Sequence, residues 1–390
     1  MLFLMSILAA LLLAEIGLRL VGFSYPTFSR FTAELGDSLL PGAEGWHTKE
    51  GQAYIQINSD GLRDREHIVA KPPDTLRIAV LGDSYAEAMQ VPMEKAFWSV
   101  LERELQTCEA IHGKTVETIN FGVSGYGTAQ ELLTLRHKGW KYEPDIVLLA
   151  VVTGNDIRNN SKELQRGGRP YFVLRDQELV LDNSFMEKSS SRLRTSALGQ
   201  LMYKILPHSH VMQLVVKARK SRRHRQEKKL LAPASEIEGQ ELGLDSVVYK
   251  EPDAPAWIDA WAVTEKLLRL LHSEVELQGT QLLITTLSSG IQVNPNSRTR
   301  ENFEEALGVK DLYYPDRRIE TLARKQRIPF LMLAPHLREW AETNNKCVHG
   351  FPNSSPCSGH WNEDGHRLAG QLIAARICDD LVPEQKNHPQ

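Results

Sequence analysis

The residues best placed to do chemistry follow predicted strands, and the first of them is Ser84. It comes after the apolar run Leu76–Leu81 and the pair Gly82-Asp83, and a helical stretch follows it. A serine at such a turn lies at the carboxyl end of its strand, and the N-terminus of the next helix adds positive potential for a developing anion. The simpler alternative is that Ser84 is only the N-cap of that helix.

Two further loops carry groups that could stabilise an anion. The loop NFGVSGYGT contains three glycines, among them Gly125, which allow backbone N–H groups to approach a ligand closely. Asn155 lies in the sequence Gly154-Asn155-Asp156, directly after another apolar run. Its amide could donate a hydrogen bond to an oxyanion, although Asn-Asp is also ordinary turn chemistry.

A histidine near the C-terminus supplies a candidate base. His360 stands in GHWNEDGHRLAGQLI, in a loop before a helix predicted to start near Asp364. Imidazole is the usual base for activating a serine hydroxyl. The second histidine of this segment, His366, is predicted to be a helix residue that supports the fold.

Five apolar runs predict the strands that position these residues. Helical spacing follows the first two runs, at Lys95–Leu105 and Ala129–Lys138, and this alternation is typical of a parallel sheet with crossover helices. Ligands bind such sheets at the carboxyl ends of the strands, where the three glycine-containing motifs fall. The runs are Leu76–Leu81, Val116–Phe121, Asp145–Val152, Gln281–Leu287 and Pro329–Leu333.

The order of these blocks, Gly-Asp-Ser, Gly, Gly-Asn-Asp and His-x-Asn-x-x-Gly-His, resembles the SGNH hydrolases, also called GDSL esterases/lipases. Ser84 matches the nucleophile of that family, Gly125 the glycine of its second block, Asn155 its asparagine and His360 its catalytic histidine. An apolar N-terminus, then NSDGLRD, then the GDSY block resembles a bacterial, membrane-attached or exported branch.

The resemblance covers about 75–160 and 260–380, and it implies both a fold and an activity. The fold is α/β, a flavodoxin-like parallel sheet of about five strands with helices on both faces, within residues 71–385 and with an insertion at 160–255 after the third strand. The activity is a serine esterase acting on O-acyl esters, such as acetyl esters, of an extracytoplasmic carbohydrate or lipid. The resemblance also implies an oxyanion hole formed by the Ser84 and Gly125 N–H groups and the Asn155 amide, and no metal or cofactor.

One position departs from the family pattern. Members commonly carry an Asp two or three residues before the histidine, where this chain has Ser358 and Cys357. The alternatives are a Ser–His dyad, a carboxylate from elsewhere such as Glu363 or Asp364, or reduced or absent catalysis.

Two rival functions stay open beside the esterase. One is an O-acyltransferase that uses the same serine. The other is a non-catalytic envelope polysaccharide-binding module, which the missing Asp favours.

The N-terminal segment, residues 1–23, predicts a membrane anchor or an export signal. Residues 1–14 are apolar apart from Ser6, whereas a spanning helix needs about 20 mainly apolar residues and a signal core about 7–15. An uncleaved anchor is favoured, which places the rest of the chain outside the cytoplasm, at the periplasm or cell surface. Residues 24–70, with scattered Pro and Gly, are predicted to be a linker or lead-in.

Composition limits the remaining possibilities. The chain of 390 residues has 46 Lys and Arg against 49 Asp and Glu, which argues against nucleic-acid binding. The basic run at 217–229, KARKSRRHRQEKK, is typical of a solvated helix face, with contact to anionic lipid as the functional alternative. The acidic residues Glu236, Glu238 and Glu241 follow it.

The four cysteines are compatible with an exported protein. Cys347 and Cys357 flank the loop HGFPNSSP, which a disulfide could close, while Cys108 and Cys378 each follow or end a predicted helix. The sequence predicts the Cys347–Cys357 bridge, with four reduced thiols as the alternative.

Overall fold

The five apolar runs form one parallel sheet in the computed structural model, which describes residues 2–165, 167–231, 239, 241 and 243–382. Numbered in chain order, the strands are β1 (Ser29–Thr32), β2 (Gly36–Leu39), β3 (Glu44–His47), β4 (Ala53–Gln56), β5 (Thr75–Gly82), β6 (Thr115–Asn120), β7 (Ile146–Val151), β8 (Tyr171–Arg175), β9 (Glu178–Asp182), β10 (Gln281–Thr286) and β11 (Phe330–Met332). The helices are α1 (Leu2–Leu20), α2 (Ser84–Glu87), α3 (Phe97–Leu105), α4 (Thr128–Thr134), α5 (Thr153–Asn159), α6 (Ser189–Thr195), α7 (Ala197–Ile205), α8 (His210–Leu231), α9 (Pro255–Leu277), α10 (Ser297–Leu307), α11 (Tyr314–Lys325), α12 (Ala334–Asn344) and α13 (Glu363–Asp380).

The sheet has the order β11-β10-β7-β5-β6, and every pair in it is parallel. Counted within the sheet alone, this is the order 2-1-3-4-5, which is the flavodoxin-like order. The predicted fold class is therefore confirmed. The chain reverses its direction of growth across the sheet between β5 and β7, so the crevice at their carboxyl ends is the expected ligand site.

Both faces of the sheet are covered, because successive side chains of a strand point to opposite sides. On β5, Ile78 and Val80 pack with α3 and α13, whereas Ala79 and Leu81 pack with α4 and α9. All four side chains are fully buried or nearly so. A continuous apolar run is the pattern that such a doubly covered strand requires.

The lead-in differs from its prediction as a linker. It forms two antiparallel hairpins, β1–β2 and β3–β4, and its Leu39 and Ile55 are buried in the same apolar cluster as Leu81 of the sheet. The carboxylate of Asp64 accepts a hydrogen bond of 2.8 Å from the backbone N–H of Asn120, at the end of β6. Strands of four residues carry too few alternating positions to give a clear period-two pattern, which is why the sequence resembled a linker.

The insertion contains the predicted hairpin, formed by β8 and β9, and then helices α6, α7 and α8. The basic run lies on α8, and its side chains from residue 223 onward lie outside the described residues. Glu236 and Glu238 also lie outside them. Glu241 is described, and it is buried.

All four cysteines form disulfides. Cys347 pairs with Cys357, as predicted, with their Cα atoms 4.9 Å apart. Cys108 pairs with Cys378 across 270 residues of sequence, with a Cα separation of 6.1 Å. The second bridge ties the segment after α3 to the end of α13.

The N-terminal segment is a helix. Among the described residues, α1 is the one helix with the length and apolar content to cross a membrane, with a mean hydropathy of 2.0 and no buried residue in its apolar window. A signal sequence has the same properties.

Candidate active site

Ser84 is the first residue of α2, separated from the end of β5 only by Asp83. The N-cap of this helix is Asp83, whose Oδ1 accepts a hydrogen bond of 2.9 Å from the backbone N–H of Tyr85. Ser84 is therefore not the N-cap. Its Oγ lies 2.9 Å from Nε2 of His360, so the structure brings together two of the predicted site residues.

His360 is fixed on its other side by a carboxylate that the sequence analysis missed. Nδ1 of His360 lies 2.6 Å from Oε2 of Glu50, and the backbone N–H of His360 donates a hydrogen bond of 2.8 Å to Oε1 of the same side chain. Ser84, His360 and Glu50 thus form one continuous hydrogen-bonded line. The side chains of His360 and Glu50 are 26% and 20% exposed, so the line is partly shielded from water.

Glu50 lies in the turn between β3 and β4 of the lead-in. The two carboxylates considered from the sequence are occupied elsewhere. Glu363 lies 2.5 Å from the Lys95 ammonium, and Asp364 lies 2.9 Å from the guanidinium of Arg367. Both residues belong to the first turn of α13, which places them beyond the histidine loop.

The charges of the pair favour a proton on the imidazole when Glu50 is ionised. Burial lowers the pKa of His360, but the hydrogen bond and the negative charge of Glu50 outweigh it, so the pKa lies above its usual value. Burial likewise raises the pKa of Glu50, and the bonds to His360 outweigh it, so that pKa is lowered. A carboxylate in this position stabilises an imidazolium and fixes the ring orientation.

The residue before the histidine is held from several directions. The N–H of Gly359 donates to Oε2 of Glu241 at 2.7 Å, and its carbonyl accepts from the Tyr85 hydroxyl at 3.0 Å and from Nδ1 of His349 at 2.6 Å. Gly359 has a φ of +87°, and a Cβ there would lie 2.3 Å from Oε1 of Glu50. Only glycine allows the loop to approach Glu50 this closely.

Asn155 reaches the same point from the end of β7. Its Nδ2 donates a hydrogen bond of 3.1 Å to Oδ2 of Asp83, and Oγ of Ser84 lies 3.4 Å from that oxygen. Asn155 and Ser84 therefore both approach one carboxylate oxygen, at the crevice between the carboxyl ends of β5 and β7. Burial raises the pKa of Asp83, which is fully buried.

Gly125 stands in a loop that two side chains anchor. The hydroxyl of Ser124 donates to the carboxylate of Glu87 in α2, and the Arg169 guanidinium donates to the carbonyl of Gly125. Gly125 has a φ of +77°, a region that glycine enters without strain. Within the described ranges, no protein acceptor is present for the N–H of Ser84 or of Gly125.

His366 takes no part in this arrangement, in agreement with its prediction as a helix residue. It is buried in α13, its Nδ1 accepts a hydrogen bond of 3.3 Å from the N–H of Phe97, and its ring stacks on the Phe97 ring. Burial lowers the pKa of His366 to about 3. The histidine is therefore neutral at ordinary pH.

No family model and no curated protein matches this sequence. A structure described as a lipolytic protein of the G-D-S-L family from Desulfitobacterium hafniense is 9% identical, with 77% of this chain and 99% of that one covered and a TM-score of 0.34. A catalytic mutant of an acetylxylan esterase from Geobacillus stearothermophilus is 10% identical, with 80% and 96% covered and a TM-score of 0.38. A two-domain esterase active on acetylated mannans is 12% identical, with 81% and 52% covered and a TM-score of 0.38. The first is assigned to the family that the sequence blocks resemble and the others are esterases, but all three TM-scores lie below 0.5. The roles assigned to residues therefore depend on the geometry of this chain.

Proposed function

We propose that the protein is a serine esterase of the SGNH type, which hydrolyses O-acyl esters. The observation that carries this proposal is the hydrogen-bonded line from Ser84 through His360 to Glu50. A nucleophile within reach of a base, with the base oriented by a third group, is the arrangement that covalent acyl transfer requires.

The first half of the reaction forms an acyl-enzyme. Oγ of Ser84 attacks the ester carbonyl carbon while Nε2 of His360 takes the hydroxyl proton, which gives an imidazolium next to the ionised Glu50. The tetrahedral intermediate then collapses. Its carbon–oxygen bond to the alcohol breaks, and the imidazolium gives its proton to the departing alkoxide.

The negative oxygen of the intermediate requires donors. We assign this role to the N–H groups of Ser84 and Gly125 and to the side-chain amide of Asn155. The N–H of Ser84 is at the N-terminus of α2, and one N–H of the Asn155 amide remains after its bond to Asp83. Each such donor is typically worth about 10²–10³ in rate.

The second half returns the free enzyme. His360, neutral again, takes a proton from water while the water oxygen attacks the acyl carbon. The bond from that carbon to Oγ of Ser84 then breaks, the imidazolium of His360 returns its proton to Oγ, and the carboxylic acid leaves. An acceptor alcohol in place of water would make the protein an O-acyltransferase with the same intermediate.

The proposed substrates are O-acyl groups, such as acetyl, on a carbohydrate or lipid outside the cytoplasm. Two observations support this location: the apolar helix α1 at the N-terminus and the presence of two disulfides. Disulfides persist in oxidising compartments and are rare in the cytosol.

The alternative function, a binding module without catalysis, is favoured by the absence of an Asp at positions 357 and 358. Glu50 lies beside Nδ1 of His360, so the histidine has a carboxylate partner despite this absence, and the support for a binding module is removed.

The test is labelling of the full chain in detergent with a fluorophosphonate, followed by peptide mass spectrometry. We expect an adduct on Ser84 that is lost in His360→Ala and retained in His336→Ala, which changes an exposed histidine on α12. A folded protein without an adduct on Ser84 would contradict the proposal. Release of acetate from a simple acetyl ester, measured with and without a sugar acceptor, then separates hydrolase from transferase.

A further inference from the structure

Helix α7 presents its apolar side chains to solvent. Leu198, Leu201, Met202 and Ile205 follow the spacing i, i+3, i+4, i+7, and each is between 42% and 62% exposed. A helix on a globular protein normally turns such a stripe toward the core. An apolar face left outward marks a contact with another molecule or with a membrane.

The opposite side of α7 contacts the protein. The side-chain amide of Gln200 donates a hydrogen bond of 3.1 Å to the carbonyl of Phe31, and Tyr203 packs against the main apolar cluster. These contacts determine which face of α7 is outward. Three exposed side chains of the adjoining helices, Leu193 of α6 and Leu214 and Val215 of α8, add to the exposed apolar surface. We call these seven residues the apolar platform.

The platform lies next to the C-terminal part of α1, which contains Glu15 and Arg19. The carboxylate of Glu15 accepts hydrogen bonds from the N–H groups of His210 and Val211, both 3.0 Å, in the first turn of α8. The guanidinium of Arg19 donates to the carbonyl of His208 at 3.0 Å. Because His208 is only three residues after Ile205, the last residue of α7, the C-terminal end of α7 lies close to Arg19 of α1.

Charge on this part of the chain has one sign. Residues 188–222 contain eight Lys or Arg and no Asp or Glu. One of the eight, Arg194, pairs with Asp37 at 3.3 Å and is neutralised. Three of the others, Lys217, Arg219 and Lys220, are exposed on α8. Lysines and arginines at a membrane surface attract anionic lipid headgroups.

The end of the apolar part of α1 also argues for close contact with the bilayer. Residues 2–14 are apolar apart from Ser6, and Glu15 is the first charged residue after them. Because a charged side chain is costly inside the hydrocarbon core, Glu15 marks the membrane surface when α1 lies in the bilayer. The hydrogen bonds of Glu15 then place the first turn of α8 near the membrane surface, with no spacer between anchor and body.

We propose that the apolar platform lies in the interface of the bilayer that holds α1, with Lys217, Arg219 and Lys220 against anionic phospholipid headgroups. The protein then contacts the membrane through this surface as well as through α1, and α1 does not act as a flexible tether. This inference depends on the membrane attachment of α1 and is independent of the esterase chemistry.

Site-directed spin labelling of the full chain in vesicles tests the proposal. All four native cysteines form disulfides, so an introduced cysteine is the single thiol. The positions are Leu201→Cys on the platform, Leu12→Cys in α1 and Leu277→Cys, an exposed residue at the end of α9, as the matched control. Collision with oxygen, which concentrates in lipid, and with a water-soluble nickel chelate measures the depth of each label.

In vesicles with anionic phosphatidylglycerol we expect the Leu201 label to favour oxygen over nickel, like the Leu12 label, and the Leu277 label to favour nickel. A Leu201 label that behaves like the Leu277 label, while the Leu12 label is in lipid, overturns the platform and leaves the anchor intact. A Leu201 label shielded from both reagents shows a protein partner and also overturns it. A Leu12 label in water overturns both, and ester hydrolysis by the same samples reports separately on the proposed function.

The assignment of the three basic residues to lipid headgroups has its own control. Replacing Lys217, Arg219 and Lys220 together by Gln should decrease the depth of the Leu201 label in anionic vesicles and leave it unchanged in vesicles of neutral phosphatidylcholine. An unchanged depth in anionic vesicles overturns the assignment of these three residues to headgroups.

Discussion

The carboxylate of Glu50 lies 2.6 Å from Nδ1 of His360, although the two residues are 310 positions apart in the sequence. The acid therefore comes from the lead-in, before the first strand of the sheet, and not from the loop that carries the histidine. Glu50 holds both the ring nitrogen and the backbone N–H of His360, so one side chain fixes the orientation of the ring and the path of the loop.

Glu50→Gln should lower kcat by about 10³–10⁴, since loss of the orienting carboxylate in a serine hydrolase costs up to about 10⁴. The amide can present an N–H to Nδ1, which favours the wrong tautomer of the imidazole. The measurement is steady-state hydrolysis of a simple acetyl ester. Glu363→Gln, which changes a nearby carboxylate that pairs with Lys95, should leave kcat unchanged.

The pH dependence of the same reaction should report on this pair. In the proposed mechanism His360 must be neutral to take the serine proton, and its pKa lies above the usual 6.5. Activity should therefore rise with pH, with an apparent pKa above 6.5 in kcat/KM. In Glu50→Gln the imidazolium loses its stabilising charge, so the acid limb should move to lower pH. A limb that stays in place or moves to higher pH would show that Glu50 does not act on His360.

The sheet and the four site blocks could be predicted from the sequence because each has a local signal. Five continuous apolar runs specify buried parallel strands. Ser84 and Asn155 each follow one of these runs, at the edge where parallel strands end. The order of the strands, which places the carboxyl ends of β5 and β7 side by side, is the flavodoxin-like order that the resemblance implies.

The partners of the site residues had no such signal. Glu50 is a single acid in a polar turn, and Glu241 and Arg169 stand in an insertion that has no counterpart in the resemblance. Their roles depend on contacts across more than 40 residues of sequence, and no local periodicity specifies such contacts. The hairpins of the lead-in could not be predicted for a similar reason, since strands of four residues give little alternation of apolar and polar side chains.

Asn155→Ala should lower kcat and kcat/KM by a similar factor, about 10²–10³, because in the proposed mechanism the amide stabilises the oxyanion and not the bound ester. Its other bond, to Asp83, is made in the resting structure, so circular dichroism and thermal unfolding should confirm that the variant is folded. A large increase in KM with kcat unchanged would assign Asn155 to substrate binding instead.

Removing the Cys108–Cys378 bridge should destabilise the protein without changing its chemistry. The bridge closes 270 residues of chain. It ties the segment between α3 and β6, which precedes the amino end of β6, to the end of α13, whereas Ser84 follows the carboxyl end of β5. The double variant Cys108→Ser, Cys378→Ser should lose about 2–5 kcal/mol of unfolding free energy. Denaturant unfolding measures this loss, and kcat in the absence of denaturant should remain near that of the parent protein.

Glu241 should connect stability to pH through the histidine loop. Burial raises its pKa from 4.5 to about 7 in the folded protein, against its hydrogen bonds from the N–H groups of Gly359 and Ile291. A raised pKa means that folding favours the protonated form, so this contribution is present below pH 4.5 and is lost as the pH rises through about 7. A shift of this size corresponds to roughly 3 kcal/mol.

In Glu241→Gln that contribution no longer changes with pH, so the unfolding free energy should fall less steeply between pH 5 and pH 8 than in the parent protein. The same variant should reduce kcat, because a glutamine can accept only one of the two N–H groups through its single oxygen and its amide faces the other. Urea unfolding at each pH gives the slope, and Glu251→Gln, an exposed acid on the surface, serves as the control. Equal slopes for Glu241→Gln and the parent protein would show that Glu241 does not titrate in this range, and an unchanged kcat would show that it does not position the histidine loop.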